Sequence, residues 1–487
     1  MKNSNEKPYI IPGLREWAGQ AGKYTITSGT RLLVHQKYAP NLKASVEYIQ
    51  QEAQDTTGFS LPVEMATESE PGSIFLSLDL EDEQIGDQGY LLEIADRVTI
   101  RAHAATGVFY GGQTILQLLR QAPDRCSLPQ GQARDWPHYT YRSLMLDTGR
   151  KYWEMDYLHD LIKDMGRLKL NELHLHLTDA NAFRLQSERH PQLSAEKSYS
   201  KADIAQLQAW ADQYHITLTP EIDLPAHSVV INQYNPRLAF ACPSMAFGRW
   251  AEAQNGNWTI NFADPYARQW IKELLSEYIP LFTGPFFHIG TDEVPDGDAP
   301  ARCPELVQYA LSKGYPHAGD VFVEWINEMS QFVRSFGKQM QIWSWWERSP
   351  HSISPDRNIL VNAWVAAGDS HFFLDAGYRV IHTAEDTLYL TPSLDLFLDE
   401  AYLYNEWVLS EHPNSLGYKI CVWANDTEEE PDALFEKDFH RPRAILAERT
   451  WCGGAPSRSL GAFLDLLDTI DPTIEQGAGH RLGSQKT

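Results

Sequence analysis

Residues 286–294 read FFHIGTDEV: a short apolar run that stops at a glycine and is followed at once by two acids side by side, Asp292 and Glu293. Neighbouring residues of a strand point to opposite faces, so both carboxylates reach one side only if the strand has ended and the backbone is turning. Gly290 permits such a turn and allows backbone or ligand to approach closely. An isolated Asp-Glu pair is usually a solvated loop start; a pair at the end of a buried strand is a candidate for chemistry.

The same design recurs along the chain. Seven further apolar runs read RSLMLD (142–147), NELHLHLTD (171–179), ITLTPEID (216–223), MQIWSW (340–345), NILVNAW (358–364), YRVIHT (378–383) and YKICVW (418–423). Amphipathic stretches of helical period separate several of them, among them MDYLHDLIKDMGRL (155–168), SKADIAQLQAWADQY (200–214) and PYARQWIKELLSEYI (265–279). Eight runs with helices between them is the count of an α/β fold of the (β/α)8 TIM barrel type, expected over residues 136–487. A doubly wound sheet gives a similar alternation but lacks support from any glycine-rich phosphate loop after an early strand. Ahead of the barrel, SIFLSLDL (73–80) and GYLLEIADRVTIRAHA (89–104) read as strands and TGVFYGGQTILQLLRQ (106–121) as a helix. They predict a small α+β accessory domain over residues 1–135.

A barrel builds its active site at the carboxyl ends of its strands. Polar and aromatic residues gather there: Asp147 with Arg150, Asp179, Glu221 with Asp223 and His227, Asp292 with Glu293, Trp343 with Trp345, Trp364, and Trp423 with Asn425.

Composition narrows the class of partner. A formal charge of -24 and a pI near 5.1 argue against an electrostatic grip on nucleic acid or an anionic membrane surface, both of which need a basic patch, and no 18 apolar residues run together. A neutral partner fits better, and 15 Trp in 487 residues call for a use. Five cysteines, Cys126, Cys242, Cys303, Cys421 and Cys452, form no CxxC pair; they read as buried free thiols rather than a disulfide framework or a zinc site. The amino terminus MKNSNEKPYIIPG has no apolar core of secretory length, from which a cytoplasmic setting is expected. Oligomeric state leaves no signal.

HIGTDE resembles the HxGxDE signature of glycoside hydrolase family 20, the β-N-acetylhexosaminidases and their relatives. LMLDTGRKY, LNELHLHLTD, EIDLPAH and TGVFYGGQTILQLL resemble further family segments in the family's order, so the likeness spans roughly residues 90 to 425. The resemblance implies substrate-assisted catalysis, in which the 2-acetamido oxygen of the sugar attacks the anomeric carbon and gives an oxazolinium intermediate. Glu293 would be the general acid and then the base. Asp292 would orient the acetamide and stabilise charge on its nitrogen, and Tyr389 would hydrogen-bond its oxygen. Trp343, Trp364 and Trp423 would wall the acetamide pocket and lie under the sugar. Arg150 would bind its secondary hydroxyls, and Asp179 with His227 would form a polar relay beside the acid. No cofactor and no metal are implied; the partner is a glycan bearing an amino sugar, neither nucleic acid nor membrane.

Two other readings come from the residues themselves. His174 and His176 share one strand face, and an HxH pair in a barrel can bind a catalytic metal, as in amidohydrolases; there the pair sits on the first strand, here on the second. A sugar-binding module without catalysis has no need of both Asp292 and Glu293.

The chain also departs from the family. Exo-acting hexosaminidases carry acids in YLD and WxE segments that bind the 4- and 6-hydroxyls of the terminal sugar; here the stretches read YLTP (389–392) and WAND (423–426). Thr391 and Asn425 replace acids, with Asp426 placed to compensate. A terminal GlcNAc or GalNAc hydrolase is the first expectation, and a lacto-N-biosidase releasing Gal-β-1,3-GlcNAc, which needs room beyond the 4-hydroxyl, is the second.

Overall fold

Parallel strands that face a barrel interior on one side and helices on the other are buried on both, which is why the eight runs are nearly continuous in apolar residues. The computed structural model describes residues 4–246, 258–365, 368 and 370–471, and all eight runs are strands of one parallel sheet.

The chain first forms a mixed seven-stranded sheet from β1 (Glu16–Thr25), β2 (Arg31–His35), β3 (Val63–Ala66), β4 (Ser73–Ser77), β5 (Tyr90–Ile94), β6 (Val98–Ala102) and β7 (Ser127–Asp135), in the order β1-β7-β5-β6-β4-β2-β3. Helices Ala39–Thr57 and Ala105–Gln121 pack on each other beside it. The second is buried along almost its whole length. It is covered by the sheet on one side and by the barrel on the other. A buried polar seam joins the two bodies. Lys169 Nζ reaches Asp135 Oδ2 (3.3 Å), the Tyr90 hydroxyl (3.0 Å) and Thr114 Oγ1 (3.1 Å), and Trp451 Nε1 donates to Asp135 Oδ1 (3.0 Å). His215 adds a second clasp, its ring nitrogens 3.0 Å from Ser45 Oγ and 3.2 Å from Thr106 Oγ1 on the two accessory helices.

The barrel follows: β8 (Tyr141–Asp147), β9 (Glu172–His176), β10 (Thr217–Leu224), β11 (Phe286–Gly290), β12 (Gln339–Trp343), β13 (Leu360–Ala363), β14 (Arg379–His382), β15 (Tyr389–Leu390) and β16 (Ser415–Val422). From β8 to β14 each strand pairs in parallel with the next, and β16 returns to pair with β8 from Tyr141↔Gly417 to Leu146↔Val422, closing the ring. The last seam is made in two halves. The lower part of β16 pairs with β14, whereas Cys421 and Val422 pair with Tyr389 and Leu390 of the two-residue β15, and this delivers Tyr389 to the barrel mouth. Helix Lys201–Gln213 begins at a capping box between Ser200 and Asp203, which fixes where the chain leaves the mouth and turns back down the barrel wall.

One expectation is corrected. Cys242 and Cys303 are joined by a disulfide, with Cα atoms 5.5 Å apart, while Cys126, Cys421 and Cys452 are free thiols. The two half-cystines lie 61 residues apart in sequence, on the loops that follow β10 and β11, and no local spacing motif announces a partner that only the barrel brings near. Among the described residues no helix is long and apolar enough to cross a membrane.

Candidate active site

Strand alternation builds the site from below. On β9, Leu173 and Leu175 face outward into the apolar layer, while Glu172, His174 and His176 all point into the barrel, each a step nearer the mouth. Glu221 of β10 lies at the height of His176 and is a hub. Its Oε2 takes His176 Nδ1 at 2.6 Å and lies 2.9 Å from His174 Nε2; its Oε1 takes Trp343 Nε1 at 2.7 Å and lies 3.1 Å from His288 Nδ1. Burial alone would raise the Glu221 carboxyl, but the three imidazoles hold it well below the usual range.

From this hub a relay climbs to the mouth. His176 Nε2 meets Asp179 Oδ2 at 2.9 Å, where Arg150 also arrives at 2.8 Å; Asp179 Oδ1 faces His227 Nδ1 at 3.2 Å. His227 Nε2 then stands 3.3 Å from Glu293 Oε2 and 3.5 Å from Asp292 Oδ2. Against burial, Arg150 and His227 pull Asp179 well below its ordinary value; likewise against burial, Asp179, Asp223 and Asp292 lift His227 well above its own. These acids favour the protonated form of the His227 ring, which is held between Asp179 below and the two acids above.

The strand does end at Gly290, and the turn separates the two acids. Gly290 (φ +74), Thr291 (φ +90) and Glu293 (φ +48) all lie in left-handed territory. A β-branched threonine there stores strain of a kind that persists where surroundings over-determine it. A Cβ on Gly290 would collide with the Asp223 carboxylate, so no other residue fits. Three donors hold the turn: Thr291 Oγ1 to the Trp343 carbonyl (2.8 Å), Trp258 Nε1 to the Glu293 carbonyl (3.0 Å) and Trp345 Nε1 to the Val294 carbonyl (2.6 Å). As a result Asp292 points inward with its side chain 11% exposed, and Glu293 points to the mouth with its side chain 30% exposed. Burial pushes the Asp292 carboxyl up to about 6 against the pull of His227, and its Oδ1 is buried with no protein partner.

The aromatic wall assembles around Asp292. Trp343 ends β12, Trp364 follows β13 and Trp423 follows β16; with Tyr389, Met145 and Cys421 they form a separate apolar cluster inside the mouth. Trp345 stacks on Trp364 (centroids 5.4 Å, 11° between planes), Trp364 lies nearly parallel to Tyr389 (6.2 Å, 5°), and Tyr389 meets Trp423 at 5.8 Å. Burial, with Cys421 and Asp292 nearby, drives the Tyr389 phenol well above its ordinary value, so it is a hydrogen-bond donor throughout the physiological range. Arg150 also bonds Asp147 Oδ2 (2.9 Å) and lies 5.3 Å from the Trp423 ring centroid, which ties the floor to the wall.

The structure thus brings Asp292, Glu293, His227, Asp179, Arg150, Tyr389 and the three tryptophans into one chamber. Asn425 and Asp426 sit on its rim, after β16: Asn425 is half-buried, and Asp426 is exposed with φ +52. Thr391 is buried below the rim, and its hydroxyl has no partner. His174 and His176 are built into the relay. His174, Glu221 and His288 are close enough together to surround a cation, but Lys419 Nζ bonds His174 Nδ1 at 3.0 Å and puts a positive charge against that point.

Sequence reasoning missed Trp258 and named Glu221 and Trp345 at strand ends without giving them a role. Glu221 was visible only as one strand-end acid among several, not as the hub. Trp345 had no distinguishing neighbour. Trp258, whose ring lies 4.4 Å from His227, sits in the polar stretch QNGNWTI, where nothing marks it.

The glycosyl hydrolase family 20 catalytic-domain model matches residues 139–453, and the domain 2 model of the same family matches residues 7–136. Among curated proteins, a lacto-N-biosidase of Bifidobacterium bifidum is 25% identical over 484 residues, covering 96% of this chain and 41% of that protein. A β-hexosaminidase of Vibrio furnissii is 27% identical over 379 residues, covering 69% of this chain and 61% of that one. The chain therefore spans less than two thirds of either relative. Among solved structures, an exo-β-N-acetylglucosaminidase from Vibrio harveyi superposes with a TM-score of 0.79 at 20% identity (98% of this chain, 79% of that one). A Streptomyces plicatus β-hexosaminidase mutant does so with 0.77 at 21% identity (97% and 96%), and both share the fold. With one family model matching the barrel and another the domain ahead of it, the chain belongs to glycosyl hydrolase family 20.

Proposed function

We propose that this protein is a retaining exo-glycosidase that removes a terminal β-linked N-acetylhexosamine, GlcNAc or GalNAc, from glycans, with the substrate's own acetamide as nucleophile. The observation that carries this is the split fate of the neighbouring acids. One is sealed among aromatics with an unpartnered oxygen, and the other is at the mouth against the His227 ring. Two carboxylates that face each other across a glycosidic bond would serve as acid and nucleophile; two that diverge from one turn leave the nucleophile's position to the substrate.

In this reading the acetamide enters the chamber of Trp343, Trp364 and Trp423. Its N–H meets Asp292 Oδ1, and its carbonyl oxygen accepts from the Tyr389 hydroxyl, which aims that oxygen at the anomeric carbon. Glu293 gives its proton to the leaving oxygen as the C–O bond breaks. The positive charge that develops on the ring nitrogen lies against Asp292, in a site too dry for water to screen it. Glu293, now a carboxylate beside His227, takes a proton from the water that reopens the ring, and configuration is retained. Arg150 anchors the sugar's hydroxyls.

A second reading, a lacto-N-biosidase, is favoured by Thr391 and Asn425 standing where acids clamp a terminal sugar. Release of nitrophenol from β-GlcNAc, β-GalNAc and β-lacto-N-biose glycosides decides between the two. Turnover of a monosaccharide glycoside that disappears in Glu293→Gln supports the first, and turnover of the disaccharide alone overturns it in favour of the second. The expected cytoplasmic setting stands against the Cys242–Cys303 bond, which persists best in oxidising compartments; fractionation of the source cells decides it.

A further inference from the structure

A second cavity, about 580 Å³, opens where the amino-terminal segment crosses the end of the long helix Asp432–Cys452. Its position is fixed by the fold. The His138 backbone N–H bonds the Trp451 carbonyl (2.8 Å) three residues before β8 begins, so the cavity lies at the amino-terminal face of the barrel, opposite the mouth.

Four cations line it, Lys7, Arg15, Arg449 and Arg458, and among the described residues none of them pairs with a carboxylate. Each is held in place by neutral groups instead. Lys7 Nζ donates to the Arg15 carbonyl (3.1 Å). The Arg15 guanidinium lies 4.5 Å from the Trp136 ring centroid, and that of Arg458 lies 4.7 Å from the Tyr9 centroid. Arg449 donates to the carbonyls of Leu403 and Tyr404 (2.8 Å each) and of Trp407 (2.5 Å), and its Nε is buried without a partner. The one acid in the wall, Glu448, has an oxygen occupied by the Gly13 N–H (2.7 Å), and burial pushes its carboxyl up to about 7.

In a chain with 65 acidic against 41 basic side chains, four cations left without acids around one cavity are an unbalanced local field. Salt bridges would be the cheapest way to settle such charges on a surface this acidic. Guanidinium forks and an ammonium kept apart from carboxylates, over aromatic faces, suit a ligand that brings its own oxyanion. The volume suits a molecule of sugar size.

We propose that this junction cavity binds an oxyanion carried by a small molecule of monosaccharide size, the anion being a carboxylate, sulfate or phosphate, at a site separate from the catalytic chamber. Binding is electrostatic in origin, so it weakens as ionic strength rises.

Calorimetric titration of the full chain at low salt tests this with inorganic sulfate, inorganic phosphate, glucuronic acid and, as a neutral control, glucose. Saturable binding of at least one anion and none of glucose is expected, with about a tenfold or greater loss in Arg458→Ala and in Lys7→Ala, each removing one charge-assisted partner. Both side chains are exposed and remote from the chamber, so hydrolysis of a chromogenic glycoside stays unchanged in both variants. Glucuronic acid binding more tightly than the inorganic ions identifies an acidic sugar as the ligand class; equal affinities identify the anion alone. No saturable binding of any anion, affinity unchanged in both variants, or displacement by N-acetylglucosamine overturns the proposal. Because anion binding is read apart from turnover, its failure leaves the catalytic reading untouched.

Discussion

Two polar layers lie one above the other inside the same barrel, and they have opposite characters. In the lower one Glu172 accepts from Ser143 Oγ (2.6 Å), Thr219 Oγ1 (2.6 Å) and Gln341 Nε2 (2.9 Å), Asn362 Nδ2 donates to Gln341 Oε1 (3.1 Å), and Lys419 Nζ bonds Asn362 Oδ1 (2.9 Å). None of these six side chains has a buried polar atom without a partner. In the upper layer both oxygens of Asp223 and Oδ1 of Asp292 lack partners. Their carboxyls are displaced upward, Asp223 well above its ordinary value by burial and the charge of Asp292. Both layers are buried, so burial does not distinguish structure from function; satisfaction of the buried groups does.

Exchanging one atom in each layer tests this contrast. Glu293→Gln removes the proton donor while keeping shape, and hydrolysis of a chromogenic N-acetylhexosaminide is expected to fall about 10²–10⁴-fold with an unchanged melting temperature. Retained turnover would move the acid to another residue.

Asp292→Asn is expected to lower kcat about 10²–10³-fold, the scale of losing one preorganised electrostatic partner. Its effect on folding runs the other way. The folded carboxyl titrates at about 6 against an ordinary 3.8, so the fold prefers the protonated form. The stability this group contributes is present in full below pH 3.8 and is lost as pH rises through 6. At pH 7 the ionised form costs on the order of 2–3 kcal/mol, so the amide should match or exceed wild type in urea. Turnover by wild type, which needs the anion, should fall as pH drops through about 6.

Glu172→Gln should reverse the pattern: about 3–5 kcal/mol less stable, because the three donors to Glu172 lose a buried carboxylate acceptor and the nearby buried Lys419 loses the negative charge acting on it, with kcat of the folded fraction close to wild type. A Glu172→Gln enzyme that is stable but inactive would erase the distinction between the layers.

The smallest effect is expected at two buried imidazoles that take no part in the relay. Burial holds His215 and His382 down to about 4 from 6.5, so both are neutral in the fold. A depressed folded value leaves stability intact above pH 6.5 and loses it as pH falls toward 4. His215→Asn should flatten this acid limb by about 1–3 kcal/mol, read as melting temperature between pH 7 and 4.5.

How much of this is legible in sequence depends on whether the signal is local. The eight barrel strands are, because each is a buried apolar run, and so is the chemistry of FFHIGTDEV, because a glycine beside two acids at a strand end is contained in nine residues. The alternation in NELHLHLTD shows an inward polar face, but not which residues meet it. Glu172, His174 and His176 find partners on β8, β10, β12 and β16 only once the barrel closes. The Cys242–Cys303 pair and the contribution of Trp258 are hidden for the same reason, since neither has a local pattern. Tyr389 owes its place to a two-residue strand too short for any periodicity.

The β8–β16 seam, which holds the ring shut, joins residues more than 270 positions apart. Contacts of such long range form late and slowly. During synthesis β8 waits with an open parallel edge until nearly all of the barrel sequence has emerged, and an unpaired edge is where chains join one another. The yield of soluble protein therefore depends on the last strand, and truncation before Ser415 is expected to give aggregates rather than a smaller enzyme.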